Sequence, residues 1–481
     1  MTVPVVPGYC SSPCGGLSPQ RHNRGGLRWL ASTFAVLLAL CLTVASAQCA
    51  SANATVEAMA GQMLMLGFRG AEPADAGPIL RSIAAGHVGG VILFDRDMDP
   101  SVRVRNIVSK EQLSRLTGAL QAAAPVPLFI AVDQEGGRVR RLKPEYGFFA
   151  YPSAASLGKG SPEDTRRMAS TLATEMAEVG LNVDFGPVVD LAVNPSNPVI
   201  ARLERSYGSD PCRVASHAAA FVNGLAWRGV VASLKHFPGH GSSLQDSHLG
   251  VTDISSTWRR EELGPYALLL RDDWAGMVMV GHLYNNRIDA AHPATLSQRT
   301  IDGLLRRDLG WKGVVVTDDL QMGAITARYS LDETVRLAVE AGADILLFGN
   351  NLVWDEGLAE KVHATLVRLV REGKVSEQRL RQSWERIMRL KSVLTVASPG
   401  AIAQGDSSGT AIAPVPAVPD PTGAPRPLRL TLPMPRGDEP LCRDRDTLQR
   451  DPFDDRQGAR YGRGTGIGIG VGTGTGIGIG Q

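Results

Sequence analysis

The chain has 481 residues, room for two to four domains or for one α/β barrel with extensions. Its 50 Lys and Arg stand against 48 Asp and Glu, 43% of residues are hydrophobic, and the mean hydropathy is -0.04. That balance excludes a polytopic membrane protein, and it lacks the basic excess of a nucleic-acid binder.

In chain order, residues 1–47 come first. They carry three arginines (Arg21, Arg24, Arg28) and no acid, then an apolar run from Leu30 to Val44 that closes on Ala45-Ser46-Ala47. This is the three-part layout of a secretory signal peptide. The protein is therefore expected to be exported, periplasmic or extracellular. A retained membrane anchor is the alternative, although the run falls short of the roughly 20 residues that a span needs. Gln48 and Leu40 are poor predecessors for a lipidated Cys49 or Cys41. Removing the leader takes away three positive charges, so the net charge goes from +2 to -1. Cys49, Cys212 and Cys442 then remain, with neither a zinc spacing nor a disulfide framework. One pair could form in an oxidising compartment, and the sequence does not say which.

Between residues 51 and 397 short apolar runs recur: Met63–Phe68, Gly90–Phe94, Pro127–Val132, Leu181–Val189, Gly229–Leu234, Gly276–Val280, Gly313–Thr317 and Asp344–Phe348. Amphipathic stretches alternate with them, among them Pro162–Val179, Arg213–Trp227, Ser297–Asp308, Leu331–Ala341 and Asp355–Glu372. Strands apolar throughout are those covered on both faces of a parallel sheet. Eight of them alternating with helices predict a single (β/α)8 barrel, with a doubly wound sheet as the alternative. From residue 398 to 481 periodicity is lost. Ala401 to Pro435 reads as a Pro/Ala/Gly-rich linker, and Gly464 to Gly480 alternates Gly with Thr, Ile or Val. This low-complexity tail is expected to be unstructured.

A barrel builds its site at the carboxyl ends of its strands. The residues there are Asp133, Asp190, Lys235 with His236, His282, Asp318 with Asp319, and Asn350. The densest stretch is Lys235-His236-Phe237-Pro238-Gly239-His240-Gly241, followed by Ser242-Ser243-Leu244-Gln245-Asp246-Ser247-His248. Its Pro and Gly residues exclude a regular helix. Asp246 and His248, two apart, point the same way in extended chain, so the carboxylate can orient the imidazole for proton transfer near neutral pH.

That loop closely resembles the signature loop of β-N-acetylhexosaminidases of glycoside hydrolase family three. Three further segments resemble the family in the same order. They are Ala131-Val132-Asp133-Gln134-Glu135-Gly136-Gly137-Arg138-Val139, Asn197-Pro198-Val199-Ile200 with Arg205-Ser206-Tyr207-Gly208, and Val316-Thr317-Asp318-Asp319-Leu320-Gln321-Met322. The resemblance covers about residues 55–395 and implies a retaining glycosidase without cofactor or metal. It makes Asp318 the nucleophile and His248, oriented by Asp246, the general acid/base. It makes Asp133, Arg141, Arg205, Lys235 and His236 the residues that bind N-acetylglucosamine. The implied substrates are terminal β-linked N-acetylglucosamine units of peptidoglycan fragments or chitooligosaccharides, cleaved by a monomer with no nucleic-acid partner. Ser242 and Ser243 depart from the Asp and Thr of many relatives, which implies altered loop contacts. Asp319 reads as a helix-start residue.

Within the family, a β-glucosidase or a β-N-acetylglucosaminide phosphorylase is the alternative. Outside it, His236, His240, His248 and His282 with Asp318 could ligate a metal in a barrel hydrolase, or the chain could be a non-catalytic wall-binding protein.

Overall fold

The structure is a computed structural model that describes residues 54–102, 104–246, 250–271, 273–394, 428–437 and 442. The leader expected over residues 1–47 lies outside the described residues, as does the Gly-repeat segment.

Eight short strands form one parallel sheet. They are β1 (Leu64–Gly67), β2 (Gly90–Leu93), β3 (Phe129–Val132), β4 (Val183–Asp184), β5 (Val231–Phe237), β6 (Met277–Val280), β7 (Val314–Thr317) and β8 (Leu346–Phe348). Neighbours pair in sequence order from β1 to β7, and β8 pairs with β1. A parallel bridge between Val316 and Ile345 joins β7 to β8. With it the sheet closes, no strand edge is left open, and the doubly wound alternative falls. Every residue of these strands is buried, which is why each reads as an apolar run.

β4 is shorter than its apolar run. Pro187 has no amide to donate, so regular pairing stops after Asp184. It resumes at Val188, which bridges Lys235, and the Val189 amide donates to Lys235 O at 2.8 Å. The interruption aligns the residues after β4 with the end of β5.

Helix boundaries follow from capping. Ser161 and Asp164 form a reciprocal capping box ahead of Pro162–Glu178, as do Ser330 and Glu333 ahead of Leu331–Ala341. Asp210 caps the helix Pro211–Ala226 with Pro211 in its first turn, so this helix starts two residues before the expected Arg213. At the barrel floor, buried Asp344 collects Arg306 (2.7 Å), Arg379 (3.2 Å), Arg386 (3.0 Å) and the Ser383 hydroxyl (2.8 Å). Burial opposes its ionisation, but the three guanidiniums prevail and hold its pKa at about 2. Among the described residues no helix is long and apolar enough to cross a membrane.

The expectation of a featureless tail is corrected at residues 428–437, which are laid against the barrel. Arg429 O accepts from the Ala275 amide and the Arg429 amide donates to Asp273 O, both at 2.7 Å. Asn223 takes both backbone groups of Leu432, at 2.7 and 2.9 Å, and the Leu432 side chain is buried. Cys442 then forms a disulfide with Cys212 in the first turn of Pro211–Ala226. The strap is legible only in three dimensions, because its anchors are backbone groups and one cysteine 230 residues from its partner.

Candidate active site

The ends of β3, β4 and β5 bring together a compact set of charges. Lys235 Nζ lies 2.7 Å from both Asp133 Oδ1 and Glu135 Oε1. Arg205 grips Glu135 with two parallel bonds, Nε to Oε2 at 2.7 Å and Nη2 to Oε1 at 2.8 Å, the planar fork that a guanidinium offers a carboxylate. Arg205 Nη1 also donates to Val199 O at 3.0 Å. Burial works against the charge on Glu135, yet Arg205 and Lys235 override it and keep the carboxyl far below the usual range. Lys235 is likewise buried and is held above its ordinary value by Asp133 and Glu135.

His236 joins this set from β5. Its Nδ1 lies 2.7 Å from Asp190 Oδ2, and its Nε2 lies 3.3 Å from Arg205 Nη2. An arginine can only donate, so both contacts are met by the tautomer with hydrogen on Nδ1. Asp190 also accepts from the amides of His236 and His240. Asp133 and Arg141, 3.8 Å apart, are the more open members, with side chains 19% and 26% exposed. The structure thus gathers Asp133, Arg141, Arg205, Lys235 and His236, all expected from the sequence. It adds Glu135, to which sequence reading assigns no role, and it gives partners to Asp190, which the sequence offers only as a strand-end residue. Both work on other side chains rather than toward solvent. The available signal was the spacing of Glu135 two residues after Asp133, which puts both on one side of extended chain.

Beneath them Asp184 is fully buried, accepts from the Gln134 amide at 3.0 Å, and is pushed well above the ordinary carboxyl range by burial.

The loop that follows β5 has a firmly held root. Asn197 Nδ2 donates to His240 O (2.8 Å), Gly241 O (3.0 Å) and Ser243 Oγ (3.1 Å). Trp258 Nε1 donates to Pro238 O at 3.0 Å. Glu262 Oε2 accepts from the amides of Gly241 (2.9 Å) and Ser242 (3.2 Å). Burial pushes the Glu262 carboxyl up to about 7. Two glycines are required here. A Cβ on Gly241 would sit 1.8 Å from Leu191 O, and Gly239, at φ +120°, would press one to 2.5 Å from Glu262 Cβ. Of the two departing serines, Ser243 meets His240 Nδ1 at 2.8 Å. Burial, reinforced by neighbouring His236, lowers His240 to about 4, so it is neutral at pH 7. Beyond the root, Leu244 is exposed and Asp246 half-buried. The expected acid/base His248 lies outside the described residues.

Asp318 follows β7 and is half-buried. Its amide donates to Val280 O at 3.0 Å, and its Oδ1 accepts from the Asp319 amide at 2.9 Å. The carboxylate is thereby set at the rim between the ends of β6 and β7. Asp319 is not a helix start, because Met322 precedes the short helix Gly323–Thr326. Its Oδ1 instead accepts from the amides of Gln321 (3.0 Å) and Gly349 (2.9 Å), tying the end of β7 to that of β8. His282 is buried with Nδ1 at 2.8 Å from Thr295 Oγ1 and Nε2 at 2.8 Å from Asp319 O. Both of its ring nitrogens are committed, so it brackets the rim rather than ligating. Asn350 likewise exchanges two bonds with the Asp355 backbone.

Residues 55–390 match the family model described as the glycosyl hydrolase family 3 N-terminal domain. The chain belongs to glycosyl hydrolase family 3. Among curated relatives, β-hexosaminidase A of Pseudoalteromonas piscicida is 33% identical over 398 residues, covering 74% of this chain and 64% of its own length. β-Hexosaminidase LpqI of Mycobacterium tuberculosis is 37% identical over 300 residues, covering 60% of this chain and 71% of its own. A solved family 3 β-N-acetylglucosaminidase from Paenibacillus superposes with a TM-score of 0.63 at 35% identity, covering 73% of this chain and 66% of that one. The chain thus spans just under two thirds of the Pseudoalteromonas and Paenibacillus proteins.

Proposed function

We propose that this family 3 barrel is an exo-acting, retaining β-N-acetylhexosaminidase that removes terminal β-linked N-acetylglucosamine from peptidoglycan fragments or chitooligosaccharides. The observation that carries the reading is the pairing of a preorganised polar clamp with one carboxylate on the same rim. Asp133, Arg141, Lys235 and His236 offer donors and acceptors for sugar hydroxyls, and Glu135, Asp190 and Arg205 lock their orientation. Asp318 stands at the end of β7. A sugar held by the clamp turns its anomeric carbon to Asp318, which attacks and forms a glycosyl-enzyme as the glycosidic bond breaks. His248, paired with Asp246, gives its proton to the leaving oxygen. It then takes one from the water that releases the sugar with retained configuration. Names of relatives that cite β-hexosaminidase and β-N-acetylglucosaminidase support this substrate class.

The leader and the Cys212–Cys442 disulfide both support export, since disulfides persist in oxidising compartments. The test is release of nitrophenol by the full chain. The β-N-acetylglucosaminide should be cleaved far faster than the β-glucoside. Equal rates would overturn the substrate assignment.

A further inference from the structure

The root of the loop after β5 is held from two sides by two buried carboxylates. Asp190 takes the His240 amide at 2.8 Å, and it also bonds His236 of the sugar clamp. Glu262 takes the next two amides, Gly241 at 2.9 Å and Ser242 at 3.2 Å. Neither of these two amides belongs to the five residues assigned to the sugar. Trp258, four residues earlier, fixes Pro238 O from the same side, and the Glu262 Cβ packs so closely on Gly239 that no side chain fits there. One oxygen, Oε2, serves both amides, while among the described residues the buried Oε1 has no hydrogen-bond partner. Glu262 thus holds the segment at the point where it leaves Ser242.

We infer that Glu262 is the positioning residue of the general-acid loop: by clamping the Gly241 and Ser242 amides it aims the chain that carries the Asp246–His248 dyad, without touching the sugar. The inference rests on the reading of that dyad as the acid/base. Two consecutive amides held by one rigid acceptor fix the plane of the intervening peptide, so the path beyond is set at its first step. When Glu262 is shortened, the two buried amides lose their acceptor and the root turns to find others. The sugar clamp keeps every contact it has. The loss therefore falls on protonation of the leaving group, and not on sugar binding or on attack by Asp318.

The test uses the full chain and aryl β-N-acetylglucosaminides whose leaving groups range from dinitrophenol, which departs without a proton, to phenol, which needs one. The variants are Glu262→Ala, Glu262→Asp, Glu262→Gln and, as reference, His248→Ala. Glu262→Ala and Glu262→Asp are expected to lower kcat/KM for the phenyl substrate by about 100-fold, within the range of a general acid. The dinitrophenyl substrate should change by less than about 3-fold, the steepened leaving-group dependence that His248→Ala shows in fuller form. Glu262→Gln keeps a carbonyl oxygen for both amides and should restore the wild-type profile. If His248→Ala is steep while the Glu262 variants lose all substrates equally or none, the inference is overturned alone. A flat profile in His248→Ala overturns the acid/base reading and the inference with it. Glu262→Asp and Glu262→Gln keep the test decisive if Glu262→Ala fails to fold, since both keep a polar side chain in the pocket and only Gln is long enough to reach the two amides.

Discussion

Glu135→Gln probes the clamp where its electrostatics are concentrated. The substitution keeps the volume of the side chain and removes its charge. It leaves Arg205 and Lys235, whose side chains are only 10% and 2% exposed, without the carboxylate that faces them both. Breaking a buried pair by removing one partner costs about 3–5 kcal/mol. For a domain of about 340 residues, with an unfolding entropy of about 2.1 cal/mol/K per residue, that lowers Tm by about 4–7 °C. The pH dependence carries the sign. The folded-state pKa of Glu135 is depressed by Arg205 and Lys235. Its contribution is therefore present above the unfolded value near 4.5 and is lost as the pH falls below it. Calorimetry of both proteins should show a gap that is full at pH 6–7 and narrows steadily below about pH 4.5. KM for the aryl N-acetylglucosaminide should rise as well, since Lys235 is then held by Asp133 alone. A variant that melts within a degree of the wild type at pH 7, or a gap that stays constant down to pH 3, refutes the reasoning.

Two further predictions concern the scaffold. Lys391 is buried with Nζ on Gln62 Oε1 and Gly89 O, both at 2.7 Å, and burial lowers its pKa to about 7. Between that value and its unfolded value near 10.5 the unfolded chain binds the extra proton, so the lysine makes stability rise with pH across this window. Urea unfolding from pH 7 to 10 should show this rise in the wild type and a flatter curve in Lys391→Met. Parallel curves would count against it. The Cys212–Cys442 disulfide closes 230 residues of sequence separation, worth up to about 5 kcal/mol in the chain-entropy picture. Cys442→Ser should melt below the oxidised wild type and match it in reductant, and a wild type indifferent to reductant would show that the bond adds no stability.

Much of the fold was legible because burial writes itself into composition. A strand covered on both faces leaves a continuous apolar run, and amphipathic periodicity marks the helices at Pro162 and Leu331, while the start at Pro211 was read two residues late. The clamp's outward-facing members were legible through motif resemblance. Asp190 was legible only as a strand-end residue, and the roles of Glu135, Asp190 and Glu262 were not, because each acts on another side chain or on backbone amides, and pairwise contacts of that kind leave no periodic trace. Glu262 sits in an Arg-Glu-Glu-Leu stretch whose residue types carry no motif. Asp319 was misread for a similar reason: its partner Gly349 lies 30 residues on. The strap at 428–437 hid in a Pro-rich segment whose docking rests on backbone bonds.

The central claim is that Asp318 is the nucleophile of a retaining N-acetylglucosaminidase. A 5-fluoro N-acetylglucosaminyl fluoride tests it most directly, because the ring fluorine slows release of a covalent intermediate. Mass spectrometry of the treated full chain should find one sugar per protein, mapped to the peptide that contains Asp318, and none in Asp318→Ala. Turnover with no covalent adduct, or an adduct on any other residue, contradicts the account.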